Sequence, residues 1–244
     1  MKMCEKCGCA GSHHHDHEHH GGHHVHSAAR TVTVGERILS RNDEAAAWNR
    51  RWLKQNGVVA INLVSSPGSG KTSLLEATLE RISGRITCAV ITGDQRTDND
   101  ARRLMGRGAA VAAIETRDAC HLDASQVGLL LPGVVTKGTK LLFIENVGNL
   151  ICPAAFDLGE RIMVALLSVT EGEDKPAKYP SVFTSAPVVV LTKIDLLPYV
   201  DFKLDTCRDY LNRMRPGVSI LELSARNGTG MDAWIDWLEQ IAAE

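Results

Sequence analysis

From residue 58 onward, short apolar runs rich in Val, Ile and Leu alternate with stretches whose apolar residues recur at helical intervals. The runs at 58–64, 86–91, 109–114, 140–144, 162–169, 188–191 and 218–221 read as strands. The stretches at 71–82, 98–106, 122–131, 205–214 and 231–242 read as helices. This alternation predicts an α/β fold, a mostly parallel sheet flanked by helices on both faces. No internal repeat is present. In such sheets ligands collect at the carboxyl ends of the strands, so residues directly after each predicted strand carry the most weight.

The pattern differs further upstream. Between residues 28 and 54, apolar Ile38, Leu39, Ala45, Trp48 and Trp52 fall at helix-like intervals and predict one or two helices, with Gly57 marking their end. Residues 1–27 have no hydrophobic periodicity and cannot offset the entropy of ordering, so they are expected to be disordered until metal binds. The chain thus divides into a Cys/His-rich arm at 1–27, a helical linker at 28–56 and a globular domain at 57–244.

Composition narrows the function classes. With 244 residues, 44% of them hydrophobic, the chain can bury a sizeable core. A net charge of −2 gives no basic field for nucleic acid, so no nucleic-acid partner is expected. No apolar stretch approaches the roughly 18 residues that span a bilayer, so no membrane role and a cytoplasmic location are expected. The seven cysteines are odd in number and three of them crowd the start, which fits thiols kept reduced for metal better than a disulfide framework.

The arm itself is a donor set. Cys4, Cys7 and Cys9 precede His13, His14, His15, His17, His19, His20, His23, His24 and His26. Imidazole and thiolate hold borderline divalent ions such as nickel, zinc and copper rather than magnesium or calcium. The longest uninterrupted run, His13 to His15, is shorter than a polyhistidine tag, and Asp16 and Glu18 interrupt the series.

The strongest motif follows the first predicted strand: Ser65-Ser66-Pro67-Gly68-Ser69-Gly70-Lys71-Thr72. It fits a phosphate-binding P-loop apart from Ser65, where the pattern has glycine. Gly68, Ser69 and Gly70 let backbone N–H groups wrap a phosphate, Lys71 reaches the β- and γ-phosphates, and Thr72, followed by Ser73, offers a hydroxyl to Mg2+. Later, Lys193 and Asp195 follow an apolar strand, where a carboxylate can accept from the ring N–H and exocyclic amine of guanine and so select GTP over ATP. A solvated Lys-Asp turn is the alternative. Ser224 and Ala225, after another strand, suit the loop that backs the base. Asp94 and Glu145 end strands on the phosphate side and are the expected carboxylates for magnesium; a helix cap or a solvated strand end is the other reading. Gly148 is expected to give a γ-phosphate-sensing loop its backbone freedom.

A second metal set lies within the domain. Cys120 and His121 follow the third strand, and Cys152 follows the strand that ends at Glu145, so all three are expected on the nucleotide-facing edge. The alternative has the two cysteines as small core residues and His121 at a helix start. Lys175 and Lys178, in a segment of mixed charge, read as a solvated loop or as lysines that reach a γ-phosphate across a dimer.

Taken together, Ser-Ser-Pro-Gly-Ser-Gly-Lys-Thr, Thr-Gly-Asp-Gln, Cys-His-Leu-Asp, Glu-Asn-Val-Gly-Asn-Leu, Glu-Gly-Glu-Asp-Lys-Pro and Lys-Ile-Asp-Leu-Leu-Pro resemble the HypB family of GTPases, which insert nickel during nickel-iron hydrogenase maturation. The resemblance covers residues 30–244. It implies a P-loop GTPase that forms a GTP- or metal-promoted homodimer, and hydrolysis is expected to be slow because the sequence offers no obvious catalytic arginine and only Gln95 as a water-positioning glutamine. In it Lys71, Thr72, Asp94 and Glu145 serve phosphate and magnesium, Lys193 and Asp195 serve guanine, and Cys120, His121 and Cys152 hold Ni2+ or Zn2+ near the dimer contact. It also implies a nickel site at Cys4, Cys7 and Cys9, a nickel store in the His-rich arm, and work with the hydrogenase large subunit and other nickel-insertion accessory proteins. A metal buffer with a regulatory nucleotide site is the non-enzymatic alternative. A urease-type maturation GTPase is the enzymatic one, and it would carry Cys-Pro-His where this chain has Cys152-Pro153-Ala154.

Overall fold

The computed structural model describes residues 34–95, 98–117 and 119–244. The arm, with Cys4, Cys7, Cys9 and its nine histidines, lies outside the described residues. A single helix, α1 (Val34–Gln55), occupies most of the segment read as linker. It is followed by β1 (Val59–Ser65), α2 (Lys71–Ile82), β2 (Cys88–Asp94), α3 (Asn99–Leu104), β3 (Ala110–Glu115), α4 (Ala124–Val134) and β4 (Leu141–Glu145). A 3-10 turn at Cys152–Ala155 leads to β5 (Ile162–Ser168), and two short helices, α5 (Lys175–Lys178) and α6 (Pro180–Ser185), precede β6 (Val188–Thr192). A second 3-10 turn at Ile194–Tyr199, α7 (Leu204–Met214), β7 (Ser219–Glu222) and α8 (Met231–Ala243) complete the chain.

The seven strands form one parallel sheet in the order β3-β2-β4-β1-β5-β6-β7. Because β1 is central, its carboxyl end and the loop into α2 lie at the middle of the functional edge. The inner strands β1, β4 and β6 are buried at every position, as a parallel sheet with helical covers requires, while the edge strands β3 and β7 are part-exposed. One face packs Ile61, Leu63 and Phe143 against α2 and α8, where Trp234 donates its indole N–H to Thr78 Oγ1 at 2.9 Å. The other face packs Ala60, Ile91, Leu142 and Ile144 against α1 and α4. None of the helices among the described residues is long and apolar enough to cross a membrane.

Two boundaries differ from the sequence reading for a visible reason. The helix expected at residue 122 starts at Ala124, because Asp123 caps it by accepting from the Gln126 N–H while the Gln126 side chain accepts from the Asp123 N–H. Leu122 is thereby held outside the helix. The segment read as a loop around Lys175 folds into α5 and α6, each with a proline in its first turn, where the missing N–H costs nothing.

Helix α1 is tied to the body by carboxamides rather than by apolar contact alone. Asn49 Nδ2 donates to the carbonyls of Ala124 (2.7 Å) and Leu158 (2.8 Å), and Asn42 bonds the Ala124 N–H and the Asp157 carbonyl. Gly159 has a positive φ of 86°, and a Cβ there would stand 2.6 Å from the Ala46 carbonyl, so only glycine lets this loop lie flat against α1.

Candidate functional site

Each strand of a parallel sheet releases the chain at the same edge, and here that edge gathers two sites. The first is a cavity of about 500 Å3 lined by Gly68, Gly70, Lys71, Thr72 and Ser73 of the loop and helix after β1, by Asp94 and Gln95 after β2, and by Glu145. Lys71 Nζ donates to Ser65 Oγ at 2.9 Å, so the serine that departs from the P-loop pattern orients the lysine. Thr72 Oγ1 donates to Glu145 Oε1 at 2.7 Å. Ser69, buried, donates to Glu171 Oε1 at 2.6 Å, and Lys175 Nζ stands 3.4 Å from Ser66 Oγ and 3.5 Å from Glu171 Oε2. Lys175 therefore touches the P-loop of its own chain, whereas Lys178 pairs with Asp174 in solvent.

Burial draws the key ionisable pair toward neutrality. It pushes the Lys71 ammonium down and lifts the Glu145 carboxyl to about 7, with the Thr72 hydroxyl and Lys71 pulling the carboxyl back. Glu145 Oε2 has no hydrogen-bond partner, and the same holds for Glu171 Oε2 and Asp195 Oδ1. Among the described residues these are the buried side-chain oxygens without a hydrogen bond, and all three belong to this edge, Glu171 Oε2 with the Lys175 ammonium 3.5 Å away. A buried acceptor left unpaired costs about 1–3 kcal/mol, so a carboxylate that keeps free capacity here is a receptor for a donor or a cation.

Beside the phosphate cavity, a pocket of about 210 Å3 is lined by Thr192, Lys193, Asp195, Ser224 and Ala225. Lys193 has a left-handed φ of 58° and donates from Nζ to the Gly68 carbonyl at 2.7 Å, so its stem lies along the P-loop. Thr192 donates its hydroxyl to the Ser69 carbonyl at 2.6 Å and anchors the same loop. The unpaired Asp195 oxygen belongs to this pocket, as a guanine-reading carboxylate requires.

The second site is a set of soft ligands. The donor atoms of Cys120, His121 and Cys152 lie within 4.8 Å of one another, with His121 and Cys152 buried and Cys120 partly exposed. Cys120 Sγ and His121 Nδ1 are 3.7 Å apart. With metal–sulfur bonds of about 2.3 Å, two sulfurs across one ion stand at most about 4.6 Å apart, so this spread is close to what a shared ion needs. Phe156 stacks on the imidazole at a centroid distance of 3.7 Å and fixes the ring plane. Burial holds the His121 pKa below its ordinary value, which favours the neutral ring that ligates. Cys88 and Cys207 are core residues whose thiols burial pushes up to about 12.

Some residues shape the site in ways that the sequence alone did not show. Asp100 and Arg103 project from α3 into the lining of the phosphate cavity, on a helix face that charge patterning alone reads as solvated. Gly148 does not need a positive φ; a Cβ there would stand 2.9 Å from Pro67 Cα, so its role is close approach of the loop after β4 to the P-loop. Asn146, next to Glu145, is almost fully buried and bonded on three sides.

Comparison with known proteins agrees with this architecture. Residues 59–222 match the family model described as CobW/HypB/UreG, nucleotide-binding domain. The chain is 50% identical over 214 residues to the hydrogenase maturation factor HypB of Azotobacter vinelandii, covering 88% of this chain and 71% of that protein. Among solved structures it resembles HypB from Archaeoglobus fulgidus (TM-score 0.78, 37% identity, 83% of this chain and 99% of that one). It also resembles HypB from Helicobacter pylori in complex with nickel (TM-score 0.78, 33% identity, 83% of this chain and 95% of that one).

Two outcomes follow from the phosphate cavity. Glu145 titrates higher in the folded than in the unfolded chain, so its burial favours folding below the unfolded carboxyl pKa and loses that contribution as pH rises toward 7. Thermal melts of the nucleotide-free, magnesium-free protein from about pH 5 to about pH 8 will show Glu145→Gln gaining on the parent as pH rises; parallel profiles would contradict the burial argument. For Gly148→Ala, the added methyl forces the loop off Pro67, and nucleotide affinity by calorimetry will fall about tenfold or more, a loss of about 1.4 kcal/mol, while the far-ultraviolet spectrum is unchanged.

Proposed function

The chain belongs to the HypB branch of the CobW/HypB/UreG family, and from that premise we propose that it is a GTP-hydrolysing nickel metallochaperone in nickel-iron hydrogenase maturation. The observation that carries this reading is the juxtaposition of a P-loop cavity and a thiolate–imidazole set at one sheet edge, joined by the loop from Glu145 to Cys152. Either alone would suit a nucleotide-binding protein or a metal buffer. Their connection suits a protein that releases metal on a nucleotide cue.

In this reading backbone N–H groups of Gly68, Ser69 and Gly70 wrap the phosphates, and Lys71 neutralises the β- and γ-oxygens. Thr72, Glu145 and Asp94 are the residues that would hold magnesium, which supplies charge neutralisation at the transferring phosphoryl group. The free acceptor capacity of Glu145 Oε2 and the hardness of this oxygen set fit that ion. Asp195 selects guanine, and Lys193 covers the base plane. Gln95, in the cavity lining, is the one candidate to position water, and turnover is slow because the arginine of that lining, Arg103, is held by Glu76 and is not free to act as an arginine finger. In a homodimer promoted by GTP, metal or both, Lys175 or Lys178 of the partner subunit would add charge at the γ-phosphate.

Nickel is the cargo. Cys120, His121 and Cys152 hold it, with Zn2+ as the competing ion of similar ligand preference, and the donor set leaves a position open for transfer. Cys4, Cys7 and Cys9 with the His-rich arm supply and store further ions, and the acceptors are the accessory proteins and the hydrogenase large subunit. GTP orders the loop after Glu145, and Cys152 stands two residues beyond Leu150, so ordering that loop moves a metal ligand. A coupling of about 1–3 kcal/mol changes affinity roughly 5- to 150-fold, enough to bias release.

Nickel affinity of the arm-deleted protein, measured by competition with a chromophoric chelator, will differ between GDP and a non-hydrolysable GTP analogue by a factor in that range of roughly 5 to 150. Equal affinities would contradict the switch, and absence of any GTP turnover in the metal-loaded dimer would leave only the buffer.

A further inference from the structure

Cys152 is connected to the nucleotide loop by the chain itself, but Cys120 and His121 are not; they follow β3, on the far side of β2. A nucleotide signal that moved Cys152 alone would pull one ligand away from two fixed ones. The structure contains a buried path that reaches the other pair. Asn146 Oδ1 accepts from the backbone N–H of Leu122 at 3.2 Å and from that of Val147 at 3.0 Å. One carboxamide oxygen thus ties the residue after His121 to the residue before Gly148.

The tie continues behind the sheet. Asn146 Nδ2 donates to Asn62 Oδ1 at 3.2 Å, and Asn62 Nδ2 donates to Glu160 Oε1 at 3.0 Å. Glu160 Oε2 accepts from the Leu158 N–H at 2.8 Å, in the loop that follows Cys152 and Phe156. Asn62 and Asn146 are buried to within about one per cent, and their hydrogen bonds are made inside the protein. Such a buried, fully bonded network is a contiguous physical route between the two loops, and whether it couples them is what the variants below measure. Leu122 is gripped a second time, because a Cβ on Gly93 would meet its side chain at 2.7 Å, and Gly93 directly precedes Asp94.

Geometry gives Asn146 this position. Successive residues of an extended strand point to opposite faces. Glu145 turns toward Thr72 and the phosphates, and Asn146, whose N–H extends the β4 ladder to the Leu63 carbonyl, turns toward Leu122 and Asn62. The two neighbours face different sites through one stretch of backbone.

Resting on the proposed nucleotide-gated metal release, we propose that Asn146 is the positioning residue that transmits nucleotide state to Cys120 and His121, with Asn62 and Glu160 carrying the same displacement to the loop after Cys152. Asn146 sits in the wall of the phosphate cavity, but its carboxamide is engaged away from it, with the Leu122 N–H and Asn62. It acts through the Leu122 backbone.

The test uses the full-length chain with Cys4, Cys7 and Cys9 each changed to Ser, nickel(II) sulfate as probe, and the thiolate-to-nickel absorption band as the signature of Cys120 and Cys152 and the signal from which affinity is read. In the parent protein the nickel affinity and the band both change between GDP and the GTP analogue, the affinity by a factor of roughly 5 to 150. Asn146→Ala is expected to bind nucleotide and nickel and to keep the band, with the affinity ratio reduced to near unity. A retained ratio in Asn146→Ala beside a parent that shows one overturns this inference and leaves the proposed function standing. Equal affinities in the parent overturn both. Loss of nickel binding by Asn146→Ala in both nucleotide states also overturns it, because the residue is then a prop and not a relay. If Asn146→Ala does not fold, Asn62→Ala, whose side chain lies outside both sites, decides by the same ratio.

Discussion

Parallel pairing of seven strands obliges the chain to leave the sheet at one edge, and that constraint brings residues far apart in sequence to a common margin. Central β1 supplies the P-loop, β2 and β4 on one side supply Asp94 and Glu145, and β6 and β7 on the other supply Asp195 and Ser224. The same margin receives the loops that carry Cys120, His121 and Cys152. Alternation along each strand then sorts neighbours between faces, so that Glu145 serves the cavity over α2 while Asn146 serves the layer of α1 and α4.

The two faces treat polar groups in opposite ways. On the α1 and α4 side, Asn42, Asn49, Asn62 and Asn146 are buried with their carboxamides engaged, holding the start of α4, the loop at Asp157 and Leu158, and the Leu122 backbone. Apolar residues in those positions would pack at lower desolvation cost but would leave the loop amides and carbonyls unpaired. On the nucleotide side, Glu145, Glu171 and Asp195 each keep one oxygen without a hydrogen-bond partner. A saturated network holds geometry, and unsaturated carboxylates are available to recognise a ligand. The division between the faces matches the division between transmitting a signal and receiving one.

Much of this was legible before any coordinates. The strands appear as continuous apolar runs because burial on both faces removes the polar alternation that marks a half-exposed sheet, and the P-loop is legible because its glycines have a steric reason. Cys120, His121 and Cys152 were candidates from their positions after strands, and the fold brings their donor atoms within 4.8 Å of one another. The rest was not, for physical reasons. A single Asn inside an apolar run, such as Asn62, has no period and no partner that sequence displays. Arg103 and Asp100 look like any charged helix face until α3 is set against the cavity. The close approach that makes Gly148 necessary is a contact with Pro67, which only the fold brings near. Helices α5 and α6 are too short for hydrophobic periodicity to register.

The central claim is that one carboxamide joins the nucleotide loop to the metal loop, and site-resolved hydrogen exchange of the Leu122 and Val147 amides reads it most directly. Both donate to Asn146 Oδ1, so their protection will rise or fall together when GDP is replaced by a non-hydrolysable GTP analogue. A change at Val147 with Leu122 left as it was would mean that the nucleotide loop moves without the metal loop, and the account would be wrong.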